Sequence, residues 1–285
     1  MLMQQFGGNW TEEKLGRVKK YLSAYTTIMA KQPFRYAYID AFAGTGYREA
    51  KDVQELDGFL FDEESQGFLD GSVRIALKIQ PAFHKYIFIE KDPAKVSELG
   101  KITGDYPEKS IDIKIGDANE QIQELCNKDW KKHRAVMFLD PFGMQVTWNT
   151  IKLIAETEAI DLWLLFPLGI GVSRLLKRDG NIHSGISKRL DLVFGTHDWY
   201  DEFYKQEKEK TLFGDEEKTI KVADFTAISN YFVTRLKTIF SGVADNPLQL
   251  MNSCNNPLFL LCFAAGNKKG AKTAIKIAQD ILSKE

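Results

Sequence analysis

Cysteine is scarce: Cys126, Cys254 and Cys262 are the three in 285 residues, far apart and without metal-ligand spacing. That argues against a disulfide framework or a zinc module and predicts reduced, mostly buried thiols. The four histidines, His84, His133, His183 and His197, also lack ligand spacing and read as structural or surface residues, so no metal site is expected. No apolar run approaches the ~18 residues of a membrane span, and Met1 leads into polar residues rather than a signal peptide. Neither charge predominates: 38 Lys and Arg against 39 Asp and Glu leave a net charge of -1. A protein that coats nucleic acid by bulk charge is excluded, although a local basic face is not. There is no internal repeat and no low-complexity tract. These absences lead to the expectation of a soluble, cytoplasmic protein with no membrane contact.

What is present is a chain with 44% hydrophobic and 27% charged residues, enough to bury a large core. Its length fits a single domain, 1–285. Within the N-terminal 1–34, a helix is predicted from about Thr11, its N-cap, to Met29, with Leu15, Val18, Leu22, Tyr25 and Met29 on one face. Strand-like runs follow at Arg35–Asp40, Lys85–Glu90, Ile111–Ile115, Ala135–Leu139 and Ile160–Phe166. Helix-like segments lie between them at Val73–Ile79, Pro93–Leu99, Gln121–Asn127 and Asn149–Thr157. Alternation of this kind predicts βαβ units, and nearly continuous apolar strands predict a parallel sheet covered on both faces. A helix over Ala223–Phe240, a hairpin of Leu248–Met251 with Leu258–Phe263, and a last helix from about Lys272 complete the pattern. The fold class is therefore α/β: a doubly wound, mostly parallel, seven-stranded Rossmann-like sheet ending in an antiparallel hairpin.

Two segments interrupt the alternation. Residues 47–70 are rich in acids (Glu49, Asp52, Glu55, Asp57, Asp62, Glu63, Glu64) and separate a glycine turn from its helix; a lid is one reading. Residues 168–218 carry Arg174, Lys177, Arg178, Lys188 and Arg189 early on and read as an inserted recognition or partner segment.

Polar or glycine signals follow four of the strands. "YIDAFAGTG" places Asp40, Ala41, Phe42, Ala43, Gly44 and Gly46 at the first strand end, where glycine permits positive φ and close approach of a ligand. Glu90, followed by Lys91, ends the second strand, where an acid can accept from both hydroxyls of a ribose. It lies later than the usual ~20 residues after the glycines, an excess that the 47–70 insertion mostly explains. "GDAN" sets Asp117, Ala118 and Asn119 after the third strand, where an adenine edge can be read; an ordinary N-cap explains Asp117 equally well. "LDPFG" puts Asp140, Pro141 and Phe142 after the fourth, with Pro141 biasing Asp140 towards an extended conformation and Phe142 offering a face for stacking. Taken singly, each is also compatible with a turn or a core position. Together they describe a crevice for an adenosine-like cofactor with an acid beside its reactive end.

These motifs resemble those of class I S-adenosylmethionine-dependent methyltransferases, and "DPFG" resembles the Asp/Asn-Pro-Pro-Tyr/Phe motif of enzymes that methylate nucleobase amines. More closely, the chain is similar to the three-Cys-motif partner protein family. "WTEEKLGRVKKYLSAY" (10–25), "YIDAFAGTG" (38–46), "DGS" (70–72), "FIEKD" (88–92), "LDPFG" (139–143), "FPLG" (166–169) and "LLCFAAGNKKGAK" (260–272) carry that similarity. It implies a methyltransferase-like fold, bound S-adenosylmethionine, Ser72 among the cofactor residues, and a partner protein that itself bears the three-cysteine motif. Phe142 and Gly143 stand where the amino-methyltransferase motif has its second proline and its aromatic residue.

The chemistry implied is in-line methyl transfer to an exocyclic amine, with reactants positioned and water kept out. Asp140 would hold the amine, Phe142 would pack the substrate, and Arg174, Lys177 and Arg178 would touch phosphates of a nucleic acid or nucleotide. Two alternatives remain open: a non-catalytic cofactor-binding accessory of a partner radical enzyme, and a nicotinamide-dependent oxidoreductase, against which the late acid and "DPFG" speak.

Overall fold

Uninterrupted apolar strands need cover on both faces, and this chain supplies helices before, between and after them. The computed structural model describes residues 9–43, 71–141, 143–211 and 214–283. Helix α1 (Asn9–Met29) leads into β1 (Arg35–Asp40). The alternation continues through α2 (Gly71–Lys78), β2 (Lys85–Glu90), α3 (Pro93–Gly104), β3 (Ile111–Ile115), α4 (Ala118–Cys126), β4 (His133–Leu139), α5 (Trp148–Glu156) and β5 (Ile160–Phe166). A π-helical turn (Leu168–Ser173) follows, then α6 (Ser184–Phe194), α7 (Trp199–Phe203) and the strands β6 (Tyr204–Thr211) and β7 (Gly214–Lys221). Helix α8 (Phe225–Lys237), β8 (Gly242–Val243), β9 (Leu248–Met251), β10 (Pro257–Ala265) and α9 (Ala271–Ser283) complete the order.

The main sheet runs β3-β2-β1-β4-β5-β10-β8, with β9 also beside β10. Strands β1 to β5 pair in parallel. β10 is antiparallel to β5, β8 and β9. The winding direction reverses between β1 and β4, which makes their carboxyl ends the topological switch point. The expected mostly parallel, doubly wound sheet is thus present, with eight strands rather than seven. The additional strand, β8, has two residues and is too short to leave a periodic signature in the sequence.

Side chains of β5 and β10 divide between the two faces, as period-two geometry requires. Ile160, Leu162, Leu164, Phe166, Leu260, Cys262 and Ala264 join the core under α4, α5, α6 and α8. Trp163, Leu165, Phe259, Leu261 and Phe263 join the core under α1, α2, α3 and α9. Trp163 is fully buried, as its mid-strand position predicted. Asp161 alternates onto the α1 side, where it accepts from Tyr21 Oη at 2.8 Å and from the Gly266 amide at 3.2 Å. Burial pushes the Asp161 carboxyl up to about 6, and those hydrogen bonds oppose the shift.

Three expectations need correction. Helix α1 starts at Asn9, so Thr11 lies inside its first turn, buried, rather than capping it. Cys254 is exposed in the β9–β10 turn, whereas Cys262 is buried and Cys126 half-buried. Much of the 168–218 segment is regular rather than loop. Phe194, Trp199, Phe203 and Tyr231 form an aromatic cluster that holds α6 and α7 to α8. β6 and β7 form a hairpin whose register sets Glu207 opposite Lys218 and Lys208 opposite Glu217. Charges on both faces of these strands remove the apolar alternation by which strands are read in a sequence. The acidic 47–70 insertion lies outside the described residues.

Candidate functional site

Strand β1 ends in Asp40, β2 ends in Glu90, and Asp140 follows β4 directly, so three acids stand on neighbouring strand ends at the switch point. Asp40 is fully buried. Its Oδ1 accepts from the Phe42 amide and its Oδ2 from Tyr38 Oη, each at 3.3 Å, and the Ser72 hydroxyl bonds to it as well. Burial pushes its carboxyl up to about 6; the Ser72 hydrogen bond opposes this, and the charge of Asp140 adds to it. The turn after β1 is laced to both neighbours: the Ala41 amide donates to Phe138 O at 3.2 Å and the Ala43 amide to Ile89 O at 2.9 Å. Asp40 therefore shapes the backbone of this turn and anchors the start of α2 through Ser72, while Ala41 and Ala43 are core residues. Gly44 and Gly46 lie outside the described residues.

Glu90 Oε1 accepts from the Lys91 and Asp92 amides, each at 2.8 Å. Its other oxygen has no hydrogen bond among the described residues. Lys91 itself is exposed. The Gly116 amide donates to Glu90 O at 3.1 Å, tying the end of β2 to the "GDAN" turn. Gly116 takes φ +147°, a value open to glycine and strained for other residues. Asp117 Oδ1 caps α4, accepting from the Asn119 amide at 2.9 Å and the Glu120 amide at 3.4 Å. The N-cap expectation holds, and Oδ2 makes no hydrogen bond among the described residues. Ala118 is buried. Asn119 departs from its expected place at the cofactor. Its Nδ2 donates to Gln145 O at 3.0 Å, and its Oδ1 accepts from the Thr147 amide at 3.2 Å and Thr150 Oγ1 at 2.6 Å. The amide is fully engaged in bracing the chain after "DPFG" against α4.

Asp140 brings in a residue that the strand motifs did not indicate. Lys14 Nζ of α1 donates to Asp140 Oδ2 at 2.5 Å. Lys14 is 2% exposed and lies over the rings of Trp10, at 5.2 Å, and Phe138, at 5.9 Å. A signal for it existed: Trp10, Lys14, Arg17 and Tyr21 recur at spacings of four, three and four, one helix face, with two cations in an otherwise aromatic stripe. Pro141, Gly143, Met144 and Val146 line a small apolar cavity with Phe166 and Pro167 of "FPLG". Gly143 takes φ +65°, which explains glycine where the related motif carries an aromatic residue. Gly169 of "FPLG" packs so closely on β10 that an added Cβ would stand 1.8 Å from Pro257 O. Phe142 lies outside the described residues.

The three cations expected at phosphates are not gathered at these strand ends. Arg174, Lys177 and Arg178 are all exposed on the chain after the π-helical turn. Of the three, Arg178 lines a groove with residues of β7. Among the described residues no group of histidines, cysteines and acids could hold a metal ion, and no helix is long and apolar enough to cross a membrane.

No protein-family model and no curated protein matches the sequence significantly. Solved structures do resemble it. Protein LPL1258 from Legionella pneumophila superposes with a TM-score of 0.50 at 12% identity, covering 98% of this chain and 93% of that one. Spermidine synthase in complex with the transition-state analogue AdoDATO gives 0.41 at 12% identity over 98% and 68%. The N-terminal domain of EvdMO1, crystallised with SAH and D-fucose, gives 0.41 at 10% over 86% and 82%. At such identities the likeness is one of fold. The chain has a doubly wound, Rossmann-like fold with a mostly parallel sheet, to which the β6–β7 hairpin and the short β8 are added.

Proposed function

We propose that the protein is a cytoplasmic S-adenosylmethionine-dependent methyltransferase acting on an amine of a nucleic-acid base or nucleotide. The observation that carries this reading is the set of acids at the carboxyl ends of β2, β3 and β4 with oxygens uncommitted among the described residues: Glu90 Oε2, Asp117 Oδ2 and Asp140 Oδ1. Those on β2 and after β3 suit the ribose hydroxyls and the adenine amine of the cofactor. When bound, S-adenosylmethionine supplies an electrophilic methyl group. This chain's residues do the remainder. Asp40 and Ser72 hold the turn after β1, the Asn119 brace fixes the loop after Gly143, and Pro141 with Phe166 and Pro167 keeps water from its apolar flank. Asp140 accepts a hydrogen bond from the acceptor amine, favouring the pyramidal nitrogen that attacks. The proton released on methylation leaves through the same carboxylate to water.

A partner with a three-cysteine motif belongs to this proposal, supported by the family resemblance of residues 10–25, 38–46 and 139–143. The Lys14–Asp140 ion pair favours a second reading. With one Asp140 oxygen neutralised by a buried cation, the chain could bind cofactor without methylating anything and serve as an accessory to its partner enzyme. Co-expression with the neighbouring gene and mass spectrometry of total cellular nucleic acid separates the two. The enzyme reading expects an added methyl group that Asp140→Ala abolishes. A methyl mark indifferent to Asp140→Ala would remove the catalytic role of Asp140.

A further inference from the structure

The insertion between β5 and α8 contains a groove that the cofactor crevice does not use. It is open, with a volume of about 1140 Å³ including its mouth, and Ser173, Arg178, Asp179, Lys218 and Lys221 supply its polar lining. Its walls are joined by several bonds. The Lys221 amide donates to Arg178 O at 2.9 Å, Tyr200 Oη to Gly180 O at 3.0 Å and Tyr204 Oη to Lys177 O at 2.9 Å. Gly180, at φ +70°, lets the loop approach Thr219 of β7 so closely that an added Cβ would stand 2.5 Å from its methyl. Three cations therefore face one concavity on a strapped frame. Lys221 is half-buried, its Nζ donating to Ser173 O at 3.3 Å and to Ser173 Oγ at 3.4 Å. Burial and the nearby Arg178 charge both push its ammonium down. The one acid of the lining, Asp179, accepts from the Asn181 amide at 3.0 Å in a turn of its own loop. Lys218 stands opposite Glu207 in the hairpin register, which tempers its charge but leaves Arg178 and Lys221 as like charges crowded together.

We infer that this groove binds the phosphodiester backbone of a single-stranded nucleic acid, with Arg178 and Lys221 as its phosphate contacts. Two crowded cations beside a hydroxyl donor in a concave site are relieved by an anion between them. The groove begins at Ser173, which ends the π-helical turn immediately beyond β5, the strand next to β4 and Asp140. A strand held there runs towards the switch point, so a base displaced from it reaches the crevice without duplex opening. The choice of a nucleic acid as ligand rests on the proposed substrate class; the anion site itself does not.

The test uses the full chain and a fluorescein-labelled 12-nucleotide oligo-dT, followed by anisotropy from 50 to 200 mM salt. Each phosphate contact to a single strand contributes about 0.7 to the slope of log affinity against log salt. The double variant Arg178→Gln/Lys221→Gln is expected to flatten the slope by about 1.4 and to weaken binding at low salt. Glutamine at 221 keeps an N–H donor on the Ser173 side, and Arg178→Glu, at an exposed position, gives a second variant, with the melting temperature of each variant measured to confirm that it is folded. Lys188→Gln/Arg189→Gln on α6 is expected to leave the slope unchanged. The inference is overturned if the groove variants bind as wild type does, if the α6 variant flattens the slope equally, or if a dinucleotide binds as tightly as the 12-mer. S-adenosylmethionine affinity, measured in parallel, is expected to be the same in every variant. Oligonucleotide binding without cofactor binding would remove the methyltransferase reading and leave the groove standing.

Discussion

Asp40→Asn is expected to stabilise the protein at neutral pH relative to its effect at acid pH. Asp40 is enclosed at the end of β1, and burial pushes its carboxyl up to about 6. In the unfolded chain the same group titrates near ~3.9. Between those values the folded state holds more protons than the unfolded state, so stability falls as pH rises through the interval and is level beyond it. The difference between the two values corresponds to about 3 kcal/mol. Wild type carries that loss at pH 7.5 and is free of it below pH 4, whereas asparagine does not titrate and keeps a hydrogen-bond acceptor for the Phe42 amide. Urea denaturation of both proteins at several pH values isolates the effect, since groups not coupled to Asp40 cancel in the difference. The gap between variant and wild type should move in favour of Asp40→Asn by roughly 3 kcal/mol from pH 4 to pH 7.5. Curves that stay parallel across this range would refute the reasoning that Asp40 is held buried and reluctant to ionise.

Lys14→Met should lower stability by about 2 kcal/mol, less than the ~3–5 typical of a fully buried pair because Asp140 keeps some solvent contact. Adding Asp140→Asn should recover much of that loss, and a double-mutant cycle with zero coupling would show that the pair does not act as a unit. Gly143→Ala, at φ +65°, should cost about 1 kcal/mol, read as a lower melting temperature; an unchanged melting temperature would contradict the left-handed assignment. Asn119→Ala removes three hydrogen bonds to residues 145, 147 and 150 and should speed hydrogen exchange across that loop, with unchanged exchange counting against the brace.

The βαβ core could be read from the sequence because most of its strands are apolar runs and β3 alternates Ile with Asp112 and Lys114, bounded by Asp40, Glu90, Gly116 and Asp140, with helices of clear period between them. The β9–β10 hairpin was readable for the same reason, with Asn252 organising its turn by accepting from the Cys254 and Asn256 amides at 2.9 Å each. β6 and β7 were not, because charges on both faces of each strand remove the apolar alternation, and only the aromatic cluster at their base ties them to the core. The candidate site's motifs were legible as strand ends, since each sits where a strand stops. Lys14 was hidden by distance: it lies 126 residues before Asp140, and only the burial of α1 brings the two together. Asn119 shows the opposite case, a polar residue in the right turn whose side-chain amide is taken up by Asp117, Gln145, Thr147 and Thr150.

Titration calorimetry with S-adenosylmethionine, on wild type and on Glu90→Ala, tests the central claim most directly. Hydrogen bonds from ribose hydroxyls to a carboxylate contribute roughly 1.5–3 kcal/mol, so the variant should bind about 10- to 100-fold more weakly. NAD should give no heat with either protein. Absence of S-adenosylmethionine binding to wild type, or equal affinity in Glu90→Ala, would contradict the assignment of the switch-point crevice as the cofactor site.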